Sequence, residues 1–242
     1  MKLIVAILVS ACALLIPFSA FSAEWTPLQL SLIHPVQIFP KETKVQGLRI
    51  NLLYGVNDEM SGIDWGLVNR TTGTTQGLQL AAFPFGGANI TGNLEGFQFA
   101  GPYGGANITE QDVSGLQISG VFAGANFAKG DVDGVQIAGI FVGGNFVKGD
   151  VNGLQISGAL GGINVAGDLK GMQIATFFVG ANLAKNTKGI QFATLYNQAD
   201  DMKGLQIGLV NVCNKMTGVQ IGLANIIKES RLPFFPVVNA GF

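Results

Sequence analysis

Asp112, Asp131, Asp150 and Asp168 follow one another at intervals of 19, 19 and 18 residues, each three residues before a glycine. Glu59, Asn93 and Asp201 hold the same place elsewhere in the chain. If folding stacks these positions, the carboxylates either repel one another or share a cation, which makes the four aspartates candidates for a cation row. "DVDG" at 131–134 is weakly similar to calcium-binding turns. The competing reading is turn chemistry, in which each aspartate bonds its own backbone and Lys129 or Lys148 screens the charge. Calcium needs several converging oxygens and most units offer one carboxylate, so turn chemistry is the expectation and no metal is assigned.

Glutamine also recurs in phase, two residues after the glycine in nine units from Gln79 to Gln220, with Arg49 and Asp64 in its place in the first two. Facing solvent, these amides would make a repeated polar surface suited to a glycan. Facing one another, they would form a ladder, and the ladder is the expectation. His34 is the one histidine. It precedes Pro35 with no nucleophile beside it, so it reads as a turn or packing residue. Cys213 is the one cysteine after residue 23 and can close no internal disulfide. With no second cysteine or nearby histidine to share a metal, it reads as a packed thiol. No Gly-x-Ser-x-Gly, phosphate loop or dinucleotide fingerprint is present. The chain is therefore expected to be no enzyme, with no catalytic residues and no cofactor.

The elements that position these columns follow from the repeat. Eleven units open at Gly47, Gly62, Gly77, Gly96, Gly115, Gly134, Gly153, Gly171, Gly189, Gly204 and Gly218, at gaps of 14 to 19 residues, short at both ends of the array and long in the middle. Each unit reaches an asparagine, from Asn57 in the first to Asn225 in the last. The long units insert about four residues before that asparagine, with an aromatic at the eighth place (Tyr103, Phe122, Phe141, Phe178) or Leu160. Apolar–Gln–apolar alternation has the period of a half-buried strand. "KGDVDG", "KGDVNG" and "AGDLKG" supply turns between strands.

Two all-β architectures fit. In a repeat β-solenoid of about eleven coils, equivalent residues stack about 4.8 Å apart, amides ladder, aromatics stack, and the rod is on the order of 50 Å long. The opening glycine would then mark a corner, where a bend brings both the leucine face and the residue two before the glycine inward. The alternative is an antiparallel outer-membrane β-barrel of about twelve strands. Gly-Asp turns and the aromatic ending "PFFPVVNAGF" favour it. Strict phase identity favours the solenoid, because antiparallel pairing would set the glycine end of one unit beside the asparagine end of the next.

The opening "MKLIVAILVSACALLIPFSAFSAEW" has a lysine, an apolar run and small residues, the pattern of a secretory signal over 1–23 cut near Ala23. An uncleaved anchor is the alternative, and Cys12 in "VSAC" is faintly similar to a lipoprotein processing site. Residues 24–46 are expected to cap the array, 47–228 to form it, and 229–242 to make the other cap or a terminal strand. A formal net charge of −1 with 12% charged residues offers no concentrated positive surface for nucleic acid.

The units "GLQIGLVN" and "GVQIGLAN", the opening "GLRINLLYGVN" with "GIDWGLVNRTTG", and the closing "LPFFPVVNAGF" resemble a family of bacterial surface-repeat proteins best known from spirochaetes. The resemblance covers almost the whole chain after residue 23 and supplies no functional residue. It implies an exported protein of the cell envelope, outer membrane or cell surface. The expectation is a non-enzymatic scaffold or adhesive surface with a cell-surface glycan or protein as partner. The alternative is an outer-membrane barrel acting as pore or anchor.

Overall fold

Glycines that open successive units lie side by side. Gly96 pairs with Gly115, Gly115 with Gly134 and Gly134 with Gly153, each across parallel strands. The register continues unbroken through Gly171, Gly189, Gly204 and Gly218. Such pairing is possible only if the chain winds in one sense and lays each unit on its predecessor. The fold is an all-β solenoid, seen in a computed structural model that describes residues 23–81, 86–175 and 178–242. The expected signal segment, apart from Ala23, and Cys12 lie outside the described residues. Among the described residues no helix is long and apolar enough to cross a membrane.

The antiparallel barrel is overturned by this register. Parallel neighbours place like beside like along the array, and among the described residues antiparallel pairing is confined to the two ends. Val36–Gln37 folds back on Trp25–Ile33, and Phe234–Gly241 runs antiparallel along the last coil. The latter strand carries Pro236, which lacks a backbone donor and blunts an edge that would otherwise template another strand.

A long coil contains two strands. In the unit of Gly115 these are Val113–Ser119 and Ala123–Ala128, joined by a tight turn and followed by the Lys-Gly-Asp turn. The first strand stacks on Val132–Ala138 and the second on Val142–Val147 of the next coil. Short units keep only a two-residue bend there, as at 194–195 and 208–209, and their strands run on through the opposite edge into the next unit, as in Tyr196–Ile207.

Three expectations about the coil need correction. The opening glycine sits inside the first strand and not at a corner. Its positive φ, +143° at Gly115 and +147° at Gly134, has another cause: the carbonyl oxygen of the previous coil's glycine occupies the place a Cβ would take, 1.9 Å away at Gly134. No bend turns the leucine face inward. Alternation is continuous, so Val113 and Gln117 face the interior while Leu116 and Ile118 face outward, half-buried. Finally, residues 24–46 do not all lie outside the stack. Trp25–Ile33 stacks in parallel on the first unit, with Gln29 beside Arg49 and "PLQLS" filling the place of a repeat.

The interior therefore has an apolar column, two polar ones and a column of small residues, Ala100, Ser119, Ala138, Ser157 and Ala175. Leu94, Val113, Val132, Val151 and Leu169, with Ala128, Val147 and Ala166 opposite, form the apolar column beside the Lys-Gly-Asp turns. Thr187 interrupts it, and Met202, Cys213 and Met216 resume it with Ala199 and Ile227.

Candidate functional site

The glutamine column is buried completely, each member 0% exposed from Gln79 to Gln220. Its amides bond only within the protein: Gln98 donates from Nε2 to Oε1 of Gln79 at 2.7 Å, Gln117 to Gln98 at 2.8 Å, and Gln136 to Gln117 at 2.7 Å. The same bond repeats to Gln220 on Gln206. Spare amide protons cross to the second strand, as from Gln117 to Thr109 Oγ1 at 2.9 Å. A solvent-facing amide surface for a glycan is excluded by this burial. Amides are preferred inside because a ladder gives each one a donor and an acceptor, whereas an apolar side chain there would leave its neighbours' polar atoms unpaired.

The asparagine column is equally buried and runs the other way. Asn69 donates from Nδ2 to Oδ1 of Asn89, Asn89 to Asn107 and Asn107 to Asn126, each at 2.9 Å, and so on to Asn225. Each also grips a carbonyl of the neighbouring strand, as Asn126 does with that of Ile137 at 2.9 Å. Asn69, Asn89 and Asn107 each begin an Asn-x-Thr triplet, and all three are interior. The first unit departs from expectation here. Gly55, not Asn57, pairs with Asn69, and the side chain of Asn51 fills the space above Gly55 and donates to Asn69 at 2.8 Å.

Aligned amides form rows of dipoles, and the two rows point in opposite senses, so their fields offset each other. Their ends are visible chemically. Oε1 of Gln220 closes one row and Oδ1 of Asn51 the other, and both are buried acceptors without a hydrogen bond. The donor end of the glutamine row meets a carboxylate, as Gln79 Nε2 donates to Asp64 Oδ2 at 2.9 Å.

That carboxylate belongs to the two exceptions in the glutamine column. Arg49 and Asp64 are both fully buried and form a two-pronged pair, Nε to Oδ1 at 2.7 Å and Nη2 to Oδ2 at 2.5 Å. Asp64 also accepts from Asn51, while Arg49 donates to Asn57, the carbonyl of Arg70 and Thr71. All donors of the guanidinium and both carboxylate oxygens are used, the condition under which a buried ion pair is tolerated. The sequence marks these residues as exceptions but carries no sign that they pair, since only stacking brings residues 49 and 64 together.

The aspartate row is assembled as the spacing predicts, on the exposed edge of the coils. Each carboxylate bonds a backbone N–H, but of the next coil and not its own. Asp112 Oδ1 accepts from the N–H of Asp131, Asp131 from Asp150, and Asp150 from Asp168, all at 2.8 Å. Asp168 accepts from Asn186. Asn93 begins the row on the N–H of Asp112. One lone pair of every aspartate is thus committed to a ladder contact, and among the described residues no three His, Cys, Asp or Glu side chains converge as a metal site. Lys129 pairs with Glu110 of the coil before it. Glu59 pairs with Lys44 at 2.8 Å.

His34 sits half-buried in the turn before Val36, its Nδ1 3.5 Å from Oε1 of Gln37 and its ring edge-on to Tyr54. Cys213 is fully buried between Met216 and Gln220, and burial, with Asp201 nearby, pushes its thiol up to about 12. A thiol held above its unfolded value stabilises the fold below the unfolded value of 9.0, and this contribution is lost as pH rises through about 12. Dithiobis-nitrobenzoate at pH 8 should therefore leave Cys213 unmodified in the folded protein and titrate it within minutes in guanidinium. Rapid labelling of the native protein would contradict a packed thiol.

Comparisons of the chain with protein-family models, curated proteins and solved structures found no match.

Proposed function

We propose that this protein is an exported, non-enzymatic surface repeat protein whose coil stack is a scaffold presenting a periodic adhesive surface at the cell envelope. One observation carries the reading. The polar side chains that recur in phase are committed to the neighbouring coil, the glutamines and asparagines inside and the aspartates on the edge, so repetition serves stacking and not a convergent reaction centre. What is left to meet a partner is the outer surface, which offers nearly the same side chains on every coil. Export and the cell envelope rest on the opening segment and on the resemblance of the repeats to bacterial surface-repeat proteins. The adhesive partner cannot be held by the glutamines, which are interior, and must be met by the outward columns.

Two unit deletions test this. Removing residues 96–114 or residues 134–152 joins equivalent positions, and either variant should remain folded with a rod shortened by about 4.8 Å. Each should keep most of its retention on isolated cell envelopes, because a distributed surface loses only its share. Complete loss from one deletion alone, with the other harmless, would reveal a single localised site and end the scaffold reading.

A further inference from the structure

The outward surface of the middle coils divides by position. Between Gly96 and Lys188 there are eleven charged residues, and every one falls on the edge formed by the Lys-Gly-Asp turns and the residue before each glycine. The other three sides carry none. One broad face shows the leucine and isoleucine columns, such as Leu116 with Val135 and Ile118 with Ile137. The other shows Ile108, Phe127, Phe146 and Val165. Phe127 and Phe146 are stacked 5.1 Å apart, and this column lines an apolar groove of about 530 Å³ with Lys129 and Lys148 at its rim.

The edge opposite the charges is formed by the residues that make the middle units long. Tyr103, Phe122 and Phe141 stack there with centroids 5.4 and 5.1 Å apart, and Leu160 and Phe178 continue the line. These side chains stand in the open, Tyr103 54% and Phe178 66% exposed. Four extra residues per coil, two outward and two back, carry this edge roughly 7 Å beyond the short coils at either end. The result is a keel.

We infer that the keel inserts into one leaflet of a lipid membrane, with the charged edge left in water. This rests on the reading of the outer surface as the adhesive one, and names its partner. An apolar surface that continues round three sides cannot be covered by one flat protein face, but a fluid hydrocarbon phase covers it at any angle. The depth agrees, since residues 116–119 span roughly 10 Å as strand and the turn at 120–122 tops them, a depth that fits within one leaflet and falls well short of the ~30 Å of a full hydrocarbon core. The backbone agrees as well. Among the described residues, peptide groups at the tip bond from coil to coil, Val121 N–H to the Pro102 carbonyl at 2.7 Å, Ile140 to Val121 at 2.7 Å and Leu160 to Phe141 at 2.8 Å, so these donors enter hydrocarbon already paired. The open strand edges belong to the terminal strands Trp25–Ile33 and Phe234–Gly241, which lie on the short coils at the two ends of the array and not on the long coils that carry the keel.

Flotation of the purified protein with phosphatidylcholine vesicles tests this. The protein should float with the vesicles, and Phe122→Asp/Phe141→Asp should weaken binding at least about tenfold. Lys170→Ser/Lys188→Ser, on the charged edge and away from the groove, should leave it unchanged. A Phe122→Trp protein should gain fluorescence that bromines on the acyl chains quench, a readout independent of whether the aspartate variant folds. Absence of flotation, flotation indifferent to the two aspartates, or no quenching at position 122 would each overturn the inference. So would keel-dependent dimers in lipid-free buffer without vesicle binding, which would make a second copy the partner. Because envelope retention of the unit deletions is measured separately, failure of the keel and failure of the scaffold reading give different results.

Discussion

Asp64→Gln should destabilise the protein by about 3–5 kcal/mol, and Arg49→Gln/Asp64→Gln should recover most of that loss. The single change leaves a guanidinium with no counter-charge in a fully buried position, its Nε and Nη2 facing an amide able to satisfy only part of the pair. The double change removes both charges and extends the glutamine ladder toward the first coil, with Gln79 donating to the new amide as Gln98 already donates to Gln79. Urea denaturation followed by circular dichroism measures both variants against the parent. If the double variant is as unstable as the single one, the pair is not an interchangeable rung of the ladder, and the account of Asp64 as the carboxylate that ends the amide row fails. The comparison also separates the cost of stranding one ion from the worth of the pair, which a single substitution cannot do.

Gly134→Ala should cost at least about 3 kcal/mol, combining a disfavoured backbone with a steric conflict. At φ +147° an L-residue is strained, and the new methyl would lie 1.9 Å from the Gly115 carbonyl oxygen, which is backbone and cannot swing aside. The conflict sits between neighbouring coils in the middle of the array, so the two halves should uncouple and the single melting transition broaden or split. Gly161→Ala is the control, because a Cβ there meets nothing within 4 Å, and it should change stability by less than about 0.5 kcal/mol. Equal behaviour of the two variants would mean that the glycine column is not what permits close approach of the coils.

Residue phase alone determined that the fold is a stack. Glycine and glutamine return at a fixed spacing, and every unit reaches an asparagine, although the unit length varies from 14 to 19 residues. Only parallel, in-register neighbours make such identity useful, since each side chain then meets its own kind. The aspartate row and the stacked aromatics at Tyr103, Phe122 and Phe141 were legible for the same reason. The pairing of Arg49 with Asp64 and the substitution of Asn51 for Asn57 were not, because both depend on which atoms meet across coils of unequal length.

What only the tertiary structure decided is which side of the strand lies inside. A period of two defines two faces but does not say which one is buried. Hydrophobicity argues for Leu116 and Ile118, yet the interior holds Val113 and Gln117. The reason is that a buried amide is costly alone and satisfied in a ladder, a condition that exists only once the next coil is in place. With the amides inside, the leucines, isoleucines and phenylalanines are left on the outer surface, and the chemistry of this protein's contacts with its surroundings follows from that inversion.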